Sequence, residues 1–246
     1  ELNIVKHFFV GHLNIDEQYD VSKFETDVNS LLNEIFLNDK IAILTGGSGL
    51  YIDAVCIGID DIPSPSPLLR KTLQDRFRDN GIEELRLQLK LLDPEYYNIV
   101  DLKNPNRIIR ALEVCITSGK TYTSFRKKEP KKLPYRILKI GIETDREILH
   151  TRINNRVDKM LEDGLIDEVK SLIKWRHYNA LNTVGYKEIF SYLDGNMSLE
   201  DATEKIKTNT RRYARRQITW FKKDKDILWF KSEEYDRILE VIENYK

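Results

Sequence analysis

An apolar run closed by glycines, Ile41-Ala42-Ile43-Leu44-Thr45 followed by Gly46-Gly47-Ser48-Gly49, sets the architecture. A run without polar alternation reads as a strand buried on both faces, the habit of parallel sheets covered by helices. Upstream, Phe24, Val28, Leu31, Leu32 and Ile35 recur at helical spacing over 24–37, and downstream LYIDAV continues as helix. Helix, buried strand, turn and helix in that order predict an α/β fold. Prolines at 63, 65 and 67 forbid a helix across DDIPSPSP (60–67), so a hinge to a second subdomain is expected there.

Amphipathic stripes over 68–92 and 105–118 predict a small helical insertion ending near Pro130 to Pro134. RILKIGIET (136–144) then returns to a strand pattern. Helices are expected over 146–163, 165–175, 184–193 and 199–222, with a strand at ILWF (227–230) and a last helix from Tyr235. The expected organisation is therefore an α/β core from 1–67 and 135–246 with basic C-terminal helices, and a helical subdomain over 68–134.

Composition narrows the function classes. With 41% hydrophobic and 33% charged residues over 246 positions, the chain has enough apolar mass for a core and a smaller unit. No stretch approaches the roughly 18 apolar residues of a membrane-spanning helix, and no basic-then-apolar leader is visible, so a cytoplasmic protein is expected. Cys56 and Cys115 read as buried thiols rather than a disulfide, and the four histidines lack the spacing of a zinc site.

Forty basic residues balance forty acidic ones, but the charges are segregated. From Asp16 to Asp39 seven acidic residues meet only Lys23; from Lys205 to Lys225 nine basic residues meet only Asp224; from Arg126 to Lys139 seven meet only Glu129. Both basic runs are interleaved with aromatics, a pattern that suits a polyanion such as RNA as well as a solvated face.

Four constellations carry chemistry. The GGSG turn lets backbone N–H groups approach a phosphate at a helix N-terminus, and Ser48 adds a hydroxyl donor; a ligand-free tight turn would use the same residues. Arg107 and Arg110, three apart on one helix and preceded by Asn104 and Asn106, suit a nucleic-acid backbone or extruded base, while Glu113 offers a local ion pair instead. Arg152 and Arg156 project together one turn apart, an arrangement suited to a pyrophosphate, with Glu162 and Asp163 as alternative partners. In TRRYARRQITWFKKDK, Ala214, Ile218 and Phe221 recur for packing, whereas Arg211, Arg215 and Lys222 share another face. Four arginines within six residues repel one another, a cost most easily offset by an external anion, with a merely solvated basic helix as the alternative.

One sequence likeness is deceptive. Ser118-Gly119-Lys120-Thr121 ends like a phosphate-binding loop, yet the required earlier glycine is Val114 and the segment closes a helix, so Gly119 is expected as a helix C-cap.

These segments, in this order, resemble the tRNA dimethylallyltransferases (adenosine isopentenyltransferases). GGSGLY (46–51) resembles the family's GGTGLY with Ser48 in place of threonine; NRIIRALEV (106–114), NTVGYKEIFSYLDG (182–195) and TRRYARRQITWF (210–221) match further family segments, and KHFFVGHLNIDEQYDVSKFETD and TWFKKDKDILWF extend the likeness over nearly the whole chain. The resemblance implies a P-loop-NTPase-like parallel-sheet core with a helical insertion, and transfer of a dimethylallyl group from dimethylallyl diphosphate to N6 of adenosine 37 in the tRNA anticodon loop. By position it makes Arg156, Arg152 and Ser48 diphosphate-binding, with Arg156 and Ser48 also catalytic. For the anticodon stem-loop it implies Ser48, Arg70, Asn106, Arg107, Ile108, Ile109 and Arg110; Asn182, Thr183, Val184, Gly185, Tyr186 and Lys187; and Arg215, Arg216, Gln217, Ile218, Thr219, Trp220, Phe221 and Lys222.

The family's opening GPTASGKT-like loop and its DSxQxY-like aspartate, the general base, do not occur here. The expectation is an N-terminally truncated chain lacking the first strand, unable to catalyse unaided, with Mg²⁺ held mainly by the absent part and the diphosphate. A monomer is expected. Two other classes stay open: a non-catalytic RNA-binding relative, and a nucleotide-kinase-like phosphotransferase.

Overall fold

The computed structural model describes residues 4–64, 66–126 and 131–245. Pro65 of the proline connector, Lys127, Lys128 and Glu129 of the second basic run, and Pro130 at the expected end of the insertion lie outside them. The chain forms two compact units, Glu1–Ile52 with Tyr135–Lys246, and Asp53–Pro134. The first junction lies at 52/53, inside a helix, rather than at the proline connector.

In the larger unit, α1 (Val21–Ile35) begins where the Asp20 side chain accepts from the Lys23 N–H. α2 (Gly49–Cys56) follows the glycine turn and runs across the junction. The smaller unit contains α3 (Pro67–Asn80), α4 (Glu83–Leu92), α5 (Pro94–Ile99), α6 (Pro105–Ser118) and α7 (Tyr122–Phe125). The larger unit resumes with β1 (Ile140–Glu143), α8 (Arg146–Glu162), α9 (Leu165–Ser171), α10 (Tyr186–Leu193), α11 (Leu199–Phe221), β2 (Leu228–Lys231) and α12 (Tyr235–Tyr245), with single 3₁₀ turns at Ile173–Trp175 and Asn179–Leu181.

β1 and β2 pair in parallel, Ile140 opposite Leu228 through Glu143 opposite Lys231. Gly141 is required there, because a Cβ would come within 2.7 Å of the Trp229 ring. The expected strand at 41–45 is not formed. Among the described residues no strand pairs with it, and Ile43 is 87% exposed. An apolar run becomes a buried strand only where a neighbour supplies ladder hydrogen bonds and a second layer covers it.

The predicted helix over 68–92 is two helices. Gly81, at φ 76°, ends α3 by donating its N–H to the Phe77 carbonyl, and the apolar stripe resumes after the turn. Leu73, Leu85, Leu89, Tyr96, Ile108, Ile109, Ala111 and Leu112 form the core of this unit. α5 escaped prediction because it is six residues long; it depends on buried Asp93, which accepts from the Tyr96 N–H (2.9 Å), the Thr123 N–H (2.7 Å) and the Thr123 hydroxyl, thereby tying α5 to α7. Gly119, at φ 67°, caps α6 through the Cys115 carbonyl, as expected, so the loop-like tetrapeptide is a helix terminus. In the larger unit Val157, Leu165, Val169, Leu181, Ile189, Phe190 and Ile206 gather α8 to α11 around a second core.

Candidate nucleic-acid interface

α11 is buried along its first half and exposed along its second. Its buried side chains, Ala202 and Ile206, lie in the first half, which packs on α8 and α10. Beyond them Ile218, which the spacing assigned to packing, is 39% exposed, and Trp220 is 40% exposed. The second half, TRRYARRQITWF, stands outside the core because a helix with arginines on two faces has too narrow an apolar stripe to bury.

The distal end of α11 rests on the glycine turn. Gln217 donates its Nε2 hydrogen to the Gly47 carbonyl at 2.8 Å. A Cβ on Gly49 would fall against the Trp220 indole, 2.6 Å from its Cγ, and one on Gly47 would strike the Gln217 amide. These glycines are therefore needed for close approach between two segments 170 positions apart. Neither charge runs nor turn chemistry could have revealed that contact.

Beside the turn, Phe24, Leu44, Thr45, Gly46, Gly47, Ser48, Tyr51 and Ile52 line an open cleft of about 230 Å³. Phe24 and Tyr51 stack edge to face at 5.0 Å, and burial raises the Tyr51 phenol above its usual pKa. The cleft thus sets an aromatic wall beside backbone donors and the Ser48 hydroxyl, a combination fit for a small ligand with an apolar end and an anionic end. Phe24 was read only as a helix-stripe residue.

On α8, Arg152 and Arg156 are exposed, and neither takes Asp163, which pairs with Lys159 at 3.3 Å. Arg156 makes no ion pair among the described residues. Arg152 lines a second small cleft at the carboxyl ends of β1 and β2 with Glu143, Asp145, Lys231 and Glu233, and contributes to holding the Glu233 carboxyl below its usual pKa, after the Ser232 hydrogen bond. α8 is fixed to α11 on its polar side: Arg211 donates to Asn154 at 2.7 Å and Lys207 pairs with Asp158 at 2.8 Å. Arg211 is thus occupied internally, while Arg215 and Lys222 remain exposed without ion partners among the described residues, and Arg216 lies over its own Tyr213 ring.

The segment 182–187 presents exposed Asn182, Thr183 and Lys187. Val184 packs on the core. Gly185, at φ 101°, makes the turn into α10, and burial, with the hydrogen bond that the Tyr186 hydroxyl donates to Glu168, pushes the phenol's pKa up to about 12.

In the smaller unit, Asn104 caps α6 through the Arg107 N–H, and Asn106 and Arg107 are exposed on its first turn. Ile108 and Ile109 are buried at 0% and 4%, so their side chains serve the core and cannot meet RNA. Glu113 is fully buried and is gripped not by Arg110, 3.8 Å away, but by Arg70, whose Nε and Nη2 donate at 2.6 and 3.0 Å. Arg70 therefore has a structural partner that its distance in sequence concealed.

The family described as "IPP transferase" matches residues 1–224. A "tRNA dimethylallyltransferase 1" of Bacteroides thetaiotaomicron is 50% identical over 98% of this chain and 79% of its own length; one from Phocaeicola vulgatus is 51% identical over 98% and 81%. The crystal structure of the full-length tRNA isopentenylpyrophosphate transferase from Bacillus halodurans superposes with a TM-score of 0.65 at 33% identity, covering 99% of this chain and 78% of that one, and this likeness identifies the fold as P-loop-NTPase-like.

Proposed function

Because the chain belongs to the IPP transferase family, a family of prenyltransferases, we propose that it transfers a dimethylallyl group from dimethylallyl diphosphate to N6 of adenosine 37 in the anticodon loop of tRNA. The observation that supports this reading above the others is the seating of the basic end of α11 on the GGSG turn: Gln217 and Trp220 bring an RNA-directed helix and a phosphate-directed turn onto one surface. An RNA-binding relative without chemistry would have no use for the turn, and a nucleotide kinase no use for the helix.

In this reading Ser48 and the turn's N–H groups hold the diphosphate, and Arg152 and Arg156 stabilise the charge that develops as it leaves. The Phe24 and Tyr51 wall takes the apolar dimethylallyl end. A neutral exocyclic amine is a poor nucleophile, so it must be extruded, aligned with the allylic carbon and relieved of a proton. Extrusion costs a few kcal/mol, which stacking on Trp220 and phosphate contacts from Arg215, Arg216 and Lys222 offset. Asn182, Thr183 and Lys187, with Asn106, Arg107 and Arg110, supply further contacts to the stem-loop. Thr219 and Phe221 belong to the same segment of α11.

Mg²⁺ would neutralise the departing diphosphate. Among the described residues no three His, Cys, Asp or Glu side chains converge to hold it. No helix among them is long and apolar enough to cross a membrane. A cytoplasmic monomer working on tRNA is the arrangement we propose.

The test is incorporation of isotope-labelled dimethylallyl groups into an anticodon stem-loop bearing adenosine 37, by the protein as its gene encodes it. Arg156→Ala should lower the rate by about 10²- to 10³-fold, the usual worth of a cation at a developing charge, with RNA affinity nearly unchanged. Failure of the unaltered protein to label the hairpin overturns the proposal.

A further inference from the structure

Glu188 has no part in the machinery above, yet it is buried, at 7% exposure, and both its carboxylate oxygens are occupied. One accepts from the Gly185 N–H at 2.8 Å, closing the turn into α10; the other accepts from Asn209 Nδ2 at 2.7 Å, on α11. Asn209 Oδ1 in turn lies 3.4 Å from Arg212 Nη1, the first exposed arginine of the basic half. A continuous polar chain therefore runs from the 182–187 segment through a buried carboxylate to the basic helix, all within one compact unit.

A buried carboxylate without a directly bonded cation is an expensive way to join two helices that already pack through Ile189, Phe190 and Ile206. What it adds is register. Packing of apolar side chains tolerates slippage, whereas two opposed hydrogen bonds at fixed geometry do not. Gly185 sits at φ 101° and ψ −63°, which glycine adopts freely, and the bond from its N–H to Glu188 holds it there.

We propose that Glu188 and Asn209 are a positioning pair that sets the 182–187 segment against the basic face of α11, so that one structured RNA hairpin meets both at once. The inference rests on the reading of these segments as RNA contacts. It assigns neither residue a contact with RNA: the pair acts through Lys187 and its neighbours on one side and Arg212 on the other.

The experiment measures affinity for an anticodon stem-loop and for an unstructured RNA of equal length and composition, in the unaltered protein and in variants. Asn209→Asp sets a carboxylate against Glu188 and should weaken hairpin binding about tenfold while leaving the unstructured RNA within about twofold, since phosphate attraction is unchanged in kind. Adding Glu188→Gln to that variant restores a donor opposite the introduced carboxylate and keeps an acceptor for the Gly185 N–H, so hairpin affinity should return to within about twofold. A merely structural role predicts equal loss for both RNAs, with recovery of both in the double variant; equal loss overturns the inference, and so does a double variant whose hairpin affinity does not recover. If the unaltered protein binds both RNAs equally, the functional reading fails first and the inference with it. Circular dichroism of each variant separates all these outcomes from misfolding.

Discussion

Replacing Arg70 by methionine should make the smaller unit unfold more easily. Arg70 gives two charge-assisted hydrogen bonds to Glu113, whose side chain is 0% exposed, while Arg70 itself is 49% exposed. Breaking a buried pair from one side costs about 3–5 kcal/mol because the other charge is left without a partner. The open flank of Arg70 and the approach of Arg110 at 3.8 Å reduce that figure, and about 2–3 kcal/mol is the expected loss. With a slope of about 1–3 kcal/mol per molar urea, the far-ultraviolet circular dichroism midpoint should fall by roughly 1–2 M. Adding Glu113→Leu should recover most of it, since neither charge then remains buried. Arg107→Met, on an exposed side chain, should shift stability by less than about 0.5 kcal/mol and weaken RNA binding instead. An Arg70→Met protein of unchanged midpoint would refute the stabilising role assigned to the Arg70–Glu113 pair.

Three further outcomes are expected. Gly49→Ala should displace the Trp220 indole, seen as a change in tryptophan emission, and cut prenyl transfer more than overall stability; an unchanged spectrum would show that α11 does not rest on the turn. Asp93→Ala should destabilise the smaller unit by about 2–4 kcal/mol, since it strands the buried donors of Tyr96 and Thr123, and a loss below about 1 kcal/mol in urea melts would contradict the double-capping role. The Lys139 ammonium, 2.7 Å away, holds the Asp224 carboxyl below the usual 3.8, so the pair's contribution is present at neutral pH and is lost as pH falls below that value through the folded-state pKa. Asp224→Asn should therefore flatten the acid limb of the stability profile and leave the slope above pH about 6 unaltered.

Local patterns announced much of this molecule. α6 runs over 105–118 as its apolar stripe foretold, and Gly119 ends it as a left-handed cap; that Asn104 caps its start is seen only in the structure. The basic half of α11 and the GGSG turn were visible as motifs, each from its own residues. What the sequence could not show is who meets whom. Glu113 had Arg110 three residues away and yet bonds Arg70, forty-three positions distant. Gln217 reaches Gly47, and Glu188 reaches Asn209, across separations where composition and periodicity carry no information. Gly81 was hidden for a different reason: a stripe that stays in phase across a break looks like one helix, and only backbone geometry reveals the turn.

The open run Ile41-Ala42-Ile43-Leu44 has a bearing on how this chain behaves as a material. Apolar, exposed at Ile41, Ile43 and Leu44, and paired with no strand among the described residues, it offers a neighbouring molecule the same backbone groups and side chains that drive cross-β stacking. The charges that could discourage such stacking, Asp39 and Lys40, guard one end only, and the other end passes through Thr45 into uncharged glycines. Colloidal stability should consequently depend on this tetrapeptide far more than on the chain's formal net charge of zero, and a single Ile43→Lys exchange should raise the concentration at which light scattering first appears.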